Sequence, residues 1–453
     1  MTARDRVRGR VQQDRVQDVL ILSNGPGEVS TWVRPVVRSL RQIWANHPAA
    51  PPLRISVVLS PCSHAMGTEK RMVETFPEVD RVQGPEDFWR FLLRGKTADG
   101  WDWSDRGLVL FLGGDQFFSV VIGRRLGYRI LTYGEREVRW LRWIDGAAIA
   151  HRNVAPAGDQ PNKIRWVGDL MVDAAQTPLS DAVTAESLGD RLPDGCFDGD
   201  PESVDWVGLL PGSKAAKLMQ GVPLVLATAA VLERSRPNVR CIIPVAPTLS
   251  LTELACYGDR AHNPILDKLG NVAARLVIPE DEAKLPYLET ETGGRVYLWQ
   301  RSPAYDLLQH CAVCLTTVGA NTAELGALAV PMVVILPTQQ LDAMRAWDGI
   351  PGLLAQLPGV GPLIARLINQ QAIKRLGLLS WPNIWAQEAI VPELVGKLTP
   401  EDLAAALMPW IEDRDKNQVL RDRLRAVCGQ AGASEKIAQW SYELLSGKQS
   451  IAD

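Results

Sequence analysis

The sequence predicts an α/β protein with two parallel-sheet lobes and a helical C-terminal segment, and three observations carry that expectation. Short β-branched runs alternate with helix-length amphipathic stretches, the pattern of successive βαβ units. An acidic, loop-like stretch at 175–205 separates the alternation into two sets. Each set opens with a strand and a glycine-containing turn, Ser23-Asn24-Gly25-Pro26-Gly27 in the first and Leu210-Pro211-Gly212-Ser213 in the second.

In the first set, strands are expected at Val19–Ser23, Ile55–Ser60, Leu108–Leu112, Arg129–Tyr133 and Arg165–Gly168. Helices are expected near Trp32–Trp44, Glu69–Thr75, Phe117–Leu126 and Glu135–Trp143. The second set places strands at Trp206–Leu210, Arg240–Val245, Arg295–Trp299, Ala312–Thr317 and Met332–Leu336. After Pro392 the chain reads as helical, with Thr399 and Pro400 opening a helix and Glu401 and Asp402 in its first turn. The expected division is a charged disordered tail at 1–17, a Rossmann-like lobe at 18–174, the linker at 175–205, a second Rossmann-like lobe at 206–391 and helices at 392–453.

Composition narrows the function classes. The chain has 453 residues, 46% hydrophobic and 22% charged, which excludes disordered, collagen-like and disulfide-scaffold proteins. At roughly 150 residues per domain the length suggests about three domains; two lobes with a tail and a linker account for it. Lys and Arg number 49 against 52 Asp and Glu, for a net charge of −3, so no global basic field calls for a nucleic-acid partner. Seven cysteines, mostly within apolar runs, fit buried reduced thiols, and Cys311-x-x-Cys314 reads as core packing. The five histidines, at 47, 64, 151, 262 and 310, show no ligand spacing, so neither a metal nor a cofactor is expected. The N-terminal residues alternate Arg and Asp without an apolar core, and Ala327–Leu336 is about half a membrane span. The expectation is a cytoplasmic protein, at most peripheral on a membrane.

The aromatic content is skewed: 15 Trp against 7 Phe and 7 Tyr. Indoles suit cores, sugar faces and membrane interfaces alike. Trp206 and Trp299 sit at strand ends and are expected in the core. Trp32, Trp89, Trp101, Trp103, Trp140 and Trp143 all fall in the first lobe.

Four turns and one aromatic stretch carry chemical potential. Gly27, Glu28 and Ser30 belong to the first βα turn, which reads either as a ligand-approaching loop or as a tight turn alone. Asp115 follows Leu112-Gly113-Gly114 at a strand's carboxyl end, where open α/β sheets bind ligands; general base and helix N-cap are both open, and spacing alone favours the cap. In the second lobe, Gly212, Ser213 and Lys214 form a turn suited to a phosphate or diphosphate, with Ser213 able to cap and Lys214 supplying charge. Gly319, Ala320, Asn321, Thr322 and Glu324 close one strand and open a helix, which reads either as an anion site at its N–H groups with Glu324 in reach of ribose hydroxyls, or as a capped helix with a solvated glutamate. Two such turns in one lobe favour a nucleotide site. Arg136, Arg139, Trp140, Arg142 and Trp143 mix guanidinium groups with indoles, either to meet an anionic lipid or sugar phosphate, or as an amphipathic helix with tryptophans inward.

Taken in order, these residues resemble the lipid-A-disaccharide synthase family, inverting glycosyltransferases of GT-B architecture. LLPGSKAAKL at 209–218 is similar to its LLPGSR turn, and TTVGANTAELGALAVPMVV at 316–334 to its S-G-T-x-x-L-E helix and following P-M-V-V. LSWPNIWAQEAIVPEL at 379–394 resembles its most specific signature, S-L-P-N-[LI]-[LI]-A-x-x-x-[IV]-V-x-E-L. In the first lobe, PGEVS at 26–30, GGD at 113–115 and VGDLMVD at 167–173 match parts of S-G-E-x-S-G-D, G-I-D and V-G-H-P-L-x-D. The resemblance implies a UDP-sugar donor, a glycolipid acceptor, no metal, and direct displacement at the anomeric carbon. Asp115 would be the base, Lys214 the phosphate partner and Glu324 the ribose partner. Gly212, Ser213 and Gly319 would line the diphosphate, and Gly27, Glu28, Ser30, Trp140 and Trp143 the acceptor side. It also implies a homodimer with exchanged C-terminal segments and peripheral contact with the inner membrane.

The departures are specific. Lys214 stands for arginine and Lys217 for glutamate; Thr31-Trp32 replace Gly-Asp, and Asp169 replaces histidine. Gln116-Phe117-Phe118 follow Asp115 where the family has A-P-D, so the pattern's second carboxylate is missing. The expected activity is transfer of a sugar from a UDP-hexosamine-type donor to a membrane-associated glycolipid. A UDP-sugar 2-epimerase on the same fold and a non-catalytic nucleotide-binding scaffold are the alternatives.

Overall fold

A computed structural model describes residues 16–62, 67–155, 161–176, 184–193, 204–247, 249–269, 271–337 and 377–447. Most of the charged tail, His64 and much of the acidic linker lie outside the described residues. The chain forms two compact units, the first made of 1–177 and 429–453, the second of 178–428.

Unit 1 is built on a seven-stranded parallel sheet. Its strands are β1 (Gln17–Ser23), β2 (Leu53–Leu59), β3 (Arg81–Gln83), β4 (Gly107–Phe111), β5 (Arg129–Gly134), β6 (Gly146–Ile149) and β7 (Ile164–Trp166), in the order β3-β2-β1-β4-β5-β6-β7. Helices cover both faces, so the inner strands read as apolar runs without alternation; every residue of β1 is buried. Helix α1 (Arg34–Ala45) inserts Val36, Val37, Leu40, Ile43 and Trp44, a one-sided helical spacing, against that sheet. Helix α2 (Gln116–Leu126) follows β4, and α3 (Leu170–Gln176) follows β7.

The amino ends of the strands are locked by Asp18, which is fully buried. Arg54 donates to both its oxygens at 2.6 and 2.9 Å, Ser104 N at 2.7 Å and Tyr128 Oη at 2.6 Å. Burial pushes this carboxyl up, but the hydrogen bonds from Arg54, Tyr128 and Ser104 outweigh it and hold it below the usual range. Arg81 stacks on Trp101 and Trp103 beside this network. Those two tryptophans therefore sit at the edge opposite the strands' carboxyl ends.

Unit 2 repeats the topology. Strands β8 (Asp205–Leu210), β9 (Val239–Pro244), β12 (Arg295–Trp299), β13 (Val313–Thr317), β14 (Met332–Pro337) and β15 (Glu393–Gly396) are parallel, and β10 (Ala274–Val277) and β11 (Tyr287–Thr290) extend the β12 edge antiparallel. The order is β10-β11-β12-β9-β8-β13-β14-β15. Trp206 and Trp299 are buried, as expected. Cys314 pairs with Gly208 in the β8–β13 ladder and, like Cys311, is fully buried as a free thiol, so the C-x-x-C is core. Helix α4 (Ala215–Ser235) is long and apolar enough to cross a membrane by length and composition, yet Leu218, Val222, Leu226, Ala229 and Leu232 form part of the unit 2 core. Helices α5 (Asn321–Ala327) and α6 (Trp381–Ala386) are short; α7 (Pro400–Glu412) opens with a Thr399–Asp402 capping box.

The C-terminal stretch expected as one helical segment from 392 is divided. Strand β15, α7 and α8 (Arg414–Cys428) belong to unit 2, and α9 (Ala433–Ser446) belongs to unit 1, packed on α1. Side-chain hydrogen bonds tether the start of α9. Asp173 accepts from Gly432 N at 2.7 Å, Ala433 N at 3.3 Å and Ser434 N at 2.6 Å, and Ser39 Oγ donates to Ser434 Oγ at 2.9 Å. The acid that ends VGDLMVD is thus a helix cap from a distant segment. Asp173→Ala should lower stability by about 1–3 kcal/mol, read as a lower denaturation midpoint, with faster amide exchange in 433–446 than in β1.

Candidate functional site

In both units the order around the first strand is that of a doubly wound sheet, and the chain leaves two adjacent strands in opposite directions. The crevice beyond their carboxyl ends is where such sheets take ligands. In unit 2 those strands are β8 and β13. Gly212 has φ +107°, and a Cβ there would lie 2.8 Å from Lys217 Cβ, so the turn is closed to any side chain. Lys217 crosses from α4 to the other turn, where its Nζ donates to Val318 O at 2.8 Å, 3.3 Å from the place of a Gly319 Cβ. The side chain as a whole is exposed, but its ammonium is held against backbone; desolvation, then the neighbouring charge of Lys214, lower its pKa.

Lys214, not Ser213, is the N-cap residue of α4, and no side chain caps the helix; Ser213 is exposed one residue earlier. The first N–H groups of this 21-residue helix therefore face the turn without a side-chain acceptor. Ala320 is exposed and Asn321 half-buried. Thr322, expected on the ligand side, is fully buried: its Oγ1 donates to Gly319 O at 2.9 Å and accepts from Trp381 N at 3.1 Å, joining the turn to α6. Glu324 is half-buried, its pKa raised by burial, and its carboxylate accepts no hydrogen bond among the described residues. The signature segment holds itself together. Glu393 accepts from Leu379 N, Ser380 N, Ser380 Oγ and Asn383 Nδ2, while Asn383 Oδ1 accepts from Ile390 N and Val391 N. Its role in unit 2 is to seat α6 beside the Gly319 turn.

In unit 1 the parting strands are β1 and β4. A Cβ on Gly113 would lie 2.8 Å from Asn24 Oδ1 and 3.2 Å from Glu28 Cγ, so Glu28 lies over this crevice. Gly27 is exposed with open space around it. Ser30 Oγ donates to Pro26 O at 2.9 Å and Thr31 Oγ1 to Gly27 O at 2.7 Å, so both hydroxyls are taken up by their own turn. Asp115 is the N-cap of α2, accepting from Phe117 N at 2.9 Å, as spacing favoured.

The helix expected over Glu135–Trp143 is absent. The segment is a loop with Trp140 in the left-handed region (φ 60°) and one 3₁₀ turn at Leu141–Trp143. Gln116 holds it, its Oε1 accepting from Arg139 N at 2.7 Å and its Nε2 donating to Glu137 O at 2.9 Å. The inward-tryptophan arrangement fails with the helix. Trp140 and Trp143 are 42% and 43% exposed, form an aromatic ledge with Phe117, and carry Arg124 stacked on Trp143 at 4.1 Å.

Residue-by-residue reading missed Lys217 and Glu135 as site residues: Lys217 stood in the family-like segment 209–218 only as a departure from its pattern, and Glu135 lies in no motif, its one signal being its place directly after β5. Glu135 comes directly after β5. Burial, then the carboxylates of Asp169 and Glu28, push its pKa up to about 7 against the opposing charges of Arg136 and His151. A carboxyl whose folded pKa exceeds its ordinary 4.5 binds its proton more tightly folded than unfolded. Stability should therefore fall as pH rises from about 4.5 to about 7, and Glu135→Gln should remove that slope and raise stability above pH 7 by about 1–3 kcal/mol, measured by denaturation at a series of pH values. Among the described residues no group of three or more His, Cys, Asp or Glu is placed to hold a metal ion.

The comparisons with known proteins follow this geometry. No protein-family model matches the chain. A lipid-A-disaccharide synthase of Geobacter metallireducens is 24% identical over 72% of this chain and 72% of its own length. One from Trichlorobacter lovleyi is 23% identical over 70% and 69%. One from Geobacter sulfurreducens is 27% identical over 54% and 50%. Among solved structures, a UDP-N-acetylglucosamine 2-epimerase superposes with a TM-score of 0.52 at 12% identity, over 97% of this chain and 98% of that one. The Neisseria meningitidis UDP-GlcNAc 2-epimerase bound to UDP-GlcNAc gives 0.51 at 12% identity, over 93% and 99%. These structures share the fold. On sequence and architecture together, the chain is a divergent relative of the lipid-A-disaccharide synthases with the two-lobed GT-B fold.

Proposed function

We propose that the protein is a glycosyltransferase. It takes a sugar from a UDP-hexosamine-type donor held by unit 2 and passes it to a hydroxyl of a membrane-associated glycolipid bound by unit 1. The observation that carries this reading is Lys217, an ammonium tied to the Val318 carbonyl across two turns that lack other side chains at their centre. With Lys214 and the uncapped start of α4 it offers a diphosphate two cations and oriented N–H groups. Those charges stabilise the departing UDP, so displacement at the anomeric carbon proceeds with inversion and without a metal. Glu324, half-buried in the first turn of the adjacent helix, is the ribose partner. Gly212, Ser213, Gly319 and Ala320 line the diphosphate.

On the acceptor side, Asp115 and Glu135 are the carboxylates at strand ends, and the ledge of Phe117, Trp140 and Trp143 with Arg124 suits an amphipathic, anionic lipid. The protein works at the cytoplasmic face of the membrane, as a homodimer. The relatives named as lipid-A-disaccharide synthases support transfer; the fold shared with 2-epimerases supports the alternative of sugar conversion without an acceptor.

The test is UDP release from a panel of UDP-sugars, with and without acylated glucosamine phosphates. Acceptor-dependent release is expected. Epimerised sugar without acceptor would establish the alternative, and tight UDP binding with no turnover the scaffold. Lys217→Met should weaken UDP binding by roughly tenfold to a hundredfold, the loss of one charge-assisted contact, measured by calorimetry at fixed salt.

A further inference from the structure

The proposed reaction needs a group to take the acceptor's proton, and the carboxyl edge of the unit 1 sheet carries a cluster of which only Asp169 falls in a family-like segment. Strands β5, β6 and β7 end in register, Gly134 opposite Ile149 and Ile149 opposite Trp166. The residues that follow bring Glu135, His151 and Asp169 to the same edge. Asp169 is 2% exposed and fixed. Its Oδ1 accepts from Met171 N at 2.9 Å and from Tyr133 Oη at 3.3 Å, and its Oδ2 lies 3.6 Å from His151 Nε2. Tyr133 Oη in turn accepts from Leu170 N at 3.1 Å. A carboxylate so enclosed can hold its neighbours but cannot reach a substrate. Glu135, with 17% of its side chain exposed, can do both.

Two polar atoms at the same end of β1 lack partners among the described residues. Asn24 Oδ1 is buried beside Gly113, and Trp32 Nε1 is buried in a ring that packs edge-on against Tyr133 at 5.3 Å. One is an acceptor and one a donor, the complement a sugar hydroxyl needs. Asp115, by contrast, stands exposed with one oxygen capping α2.

We propose that Glu135 is the catalytic base of the transfer, with Asp169, His151 and Tyr133 as its positioning residues. The inference rests on the transferase reading. As the acceptor oxygen bonds to the anomeric carbon, its proton passes to the Glu135 carboxylate. The bond from that carbon to the diphosphate oxygen breaks, and its electron pair leaves with UDP. The groups that set the affinity of Glu135 for the proton are Asp169 and Glu28, which raise it, and His151 and Arg136, which lower it.

The experiment is the pH dependence of kcat/KM from about pH 5 to about pH 9 for wild type, Glu135→Gln, Glu135→Asp, His151→Asn and Asp115→Asn. Wild type should gain activity through a limb near neutrality. Glu135→Gln should lose about a hundredfold or more in kcat and lose the limb, with UDP affinity intact and thermal stability no lower than that of wild type. Glu135→Asp keeps a carboxylate and should recover part of the rate with a displaced limb, which also tests the idea should the glutamine variant fail to fold. His151→Asn should move the limb upward, a change that a purely structural role would not produce. Asp115→Asn should keep the limb. Wild-type kcat and limb in Glu135→Gln would overturn the inference and leave the transferase reading standing. A wild-type protein that transfers no sugar to any acceptor would overturn both.

Discussion

Two neighbouring parallel strands whose chains turn to opposite sides of the sheet leave a gap at their carboxyl ends, and the candidate sites of this protein are arranged around that constraint. It occurs once in each unit, at β1 and β4 and again at β8 and β13. Above such a gap the backbone has no ladder to enter, so the N–H groups of the next turn and helix are available to a ligand. The gap also forces tight turns. Gly212 and Gly113 stand where a side chain would collide with Lys217 or Asn24. The buried lock at Asp18 and the Asp173 cap on α9 then hold the rest of unit 1 in place around its edge.

The two crevices differ in charge. The unit 2 edge presents Lys214, Lys217 and an uncapped helix start, a cationic frame for an anionic diphosphate. The unit 1 edge presents Glu28, Asp115, Glu135 and Asp169, with His151 and Arg136 as partial counterweights. Carboxylates repel a phosphate and attract the proton of a neutral hydroxyl. This asymmetry is the physical basis of the proposed division into donor and acceptor lobes, and it is present despite the departures from the family pattern. Lys214 lacks the bidentate fork of an arginine, but Lys217, in place of an acid, puts a second cation beside it.

Much of this was legible in the sequence. Apolar runs without alternation identify strands covered on both faces, and β1, β4, β8, β12, β13 and β14 follow them closely. The edge strands β3, β7 and β15 and the interior strand β6 are three or four residues long, and β3, β6 and β15 offer too short a run to stand out from loop. Residues 135–143 misled because their arginines and tryptophans fall at helical spacing, while the structure spends no helix there. Gln116, in a different element, takes up the loop's backbone groups, and spacing along one segment contains no record of that. The hydroxyls of Thr322 and Ser30 are directed to Gly319 O and Pro26 O for a related reason: short hydroxyl side chains next to a turn find backbone carbonyls first. Glu135 carries no local signal, since its raised proton affinity comes first from burial in the folded unit and then from Asp169 and Glu28, both distant in sequence.

The central claim is that unit 2 binds a nucleotide diphosphate at the paired turns after β8 and β13. Hydrogen exchange of the full chain with and without UDP addresses it most directly. Slowed exchange is expected at 212–218 and 319–324, with the unit 1 turn at 24–30 unchanged. Protection confined to unit 1, or none at saturating UDP, would contradict it.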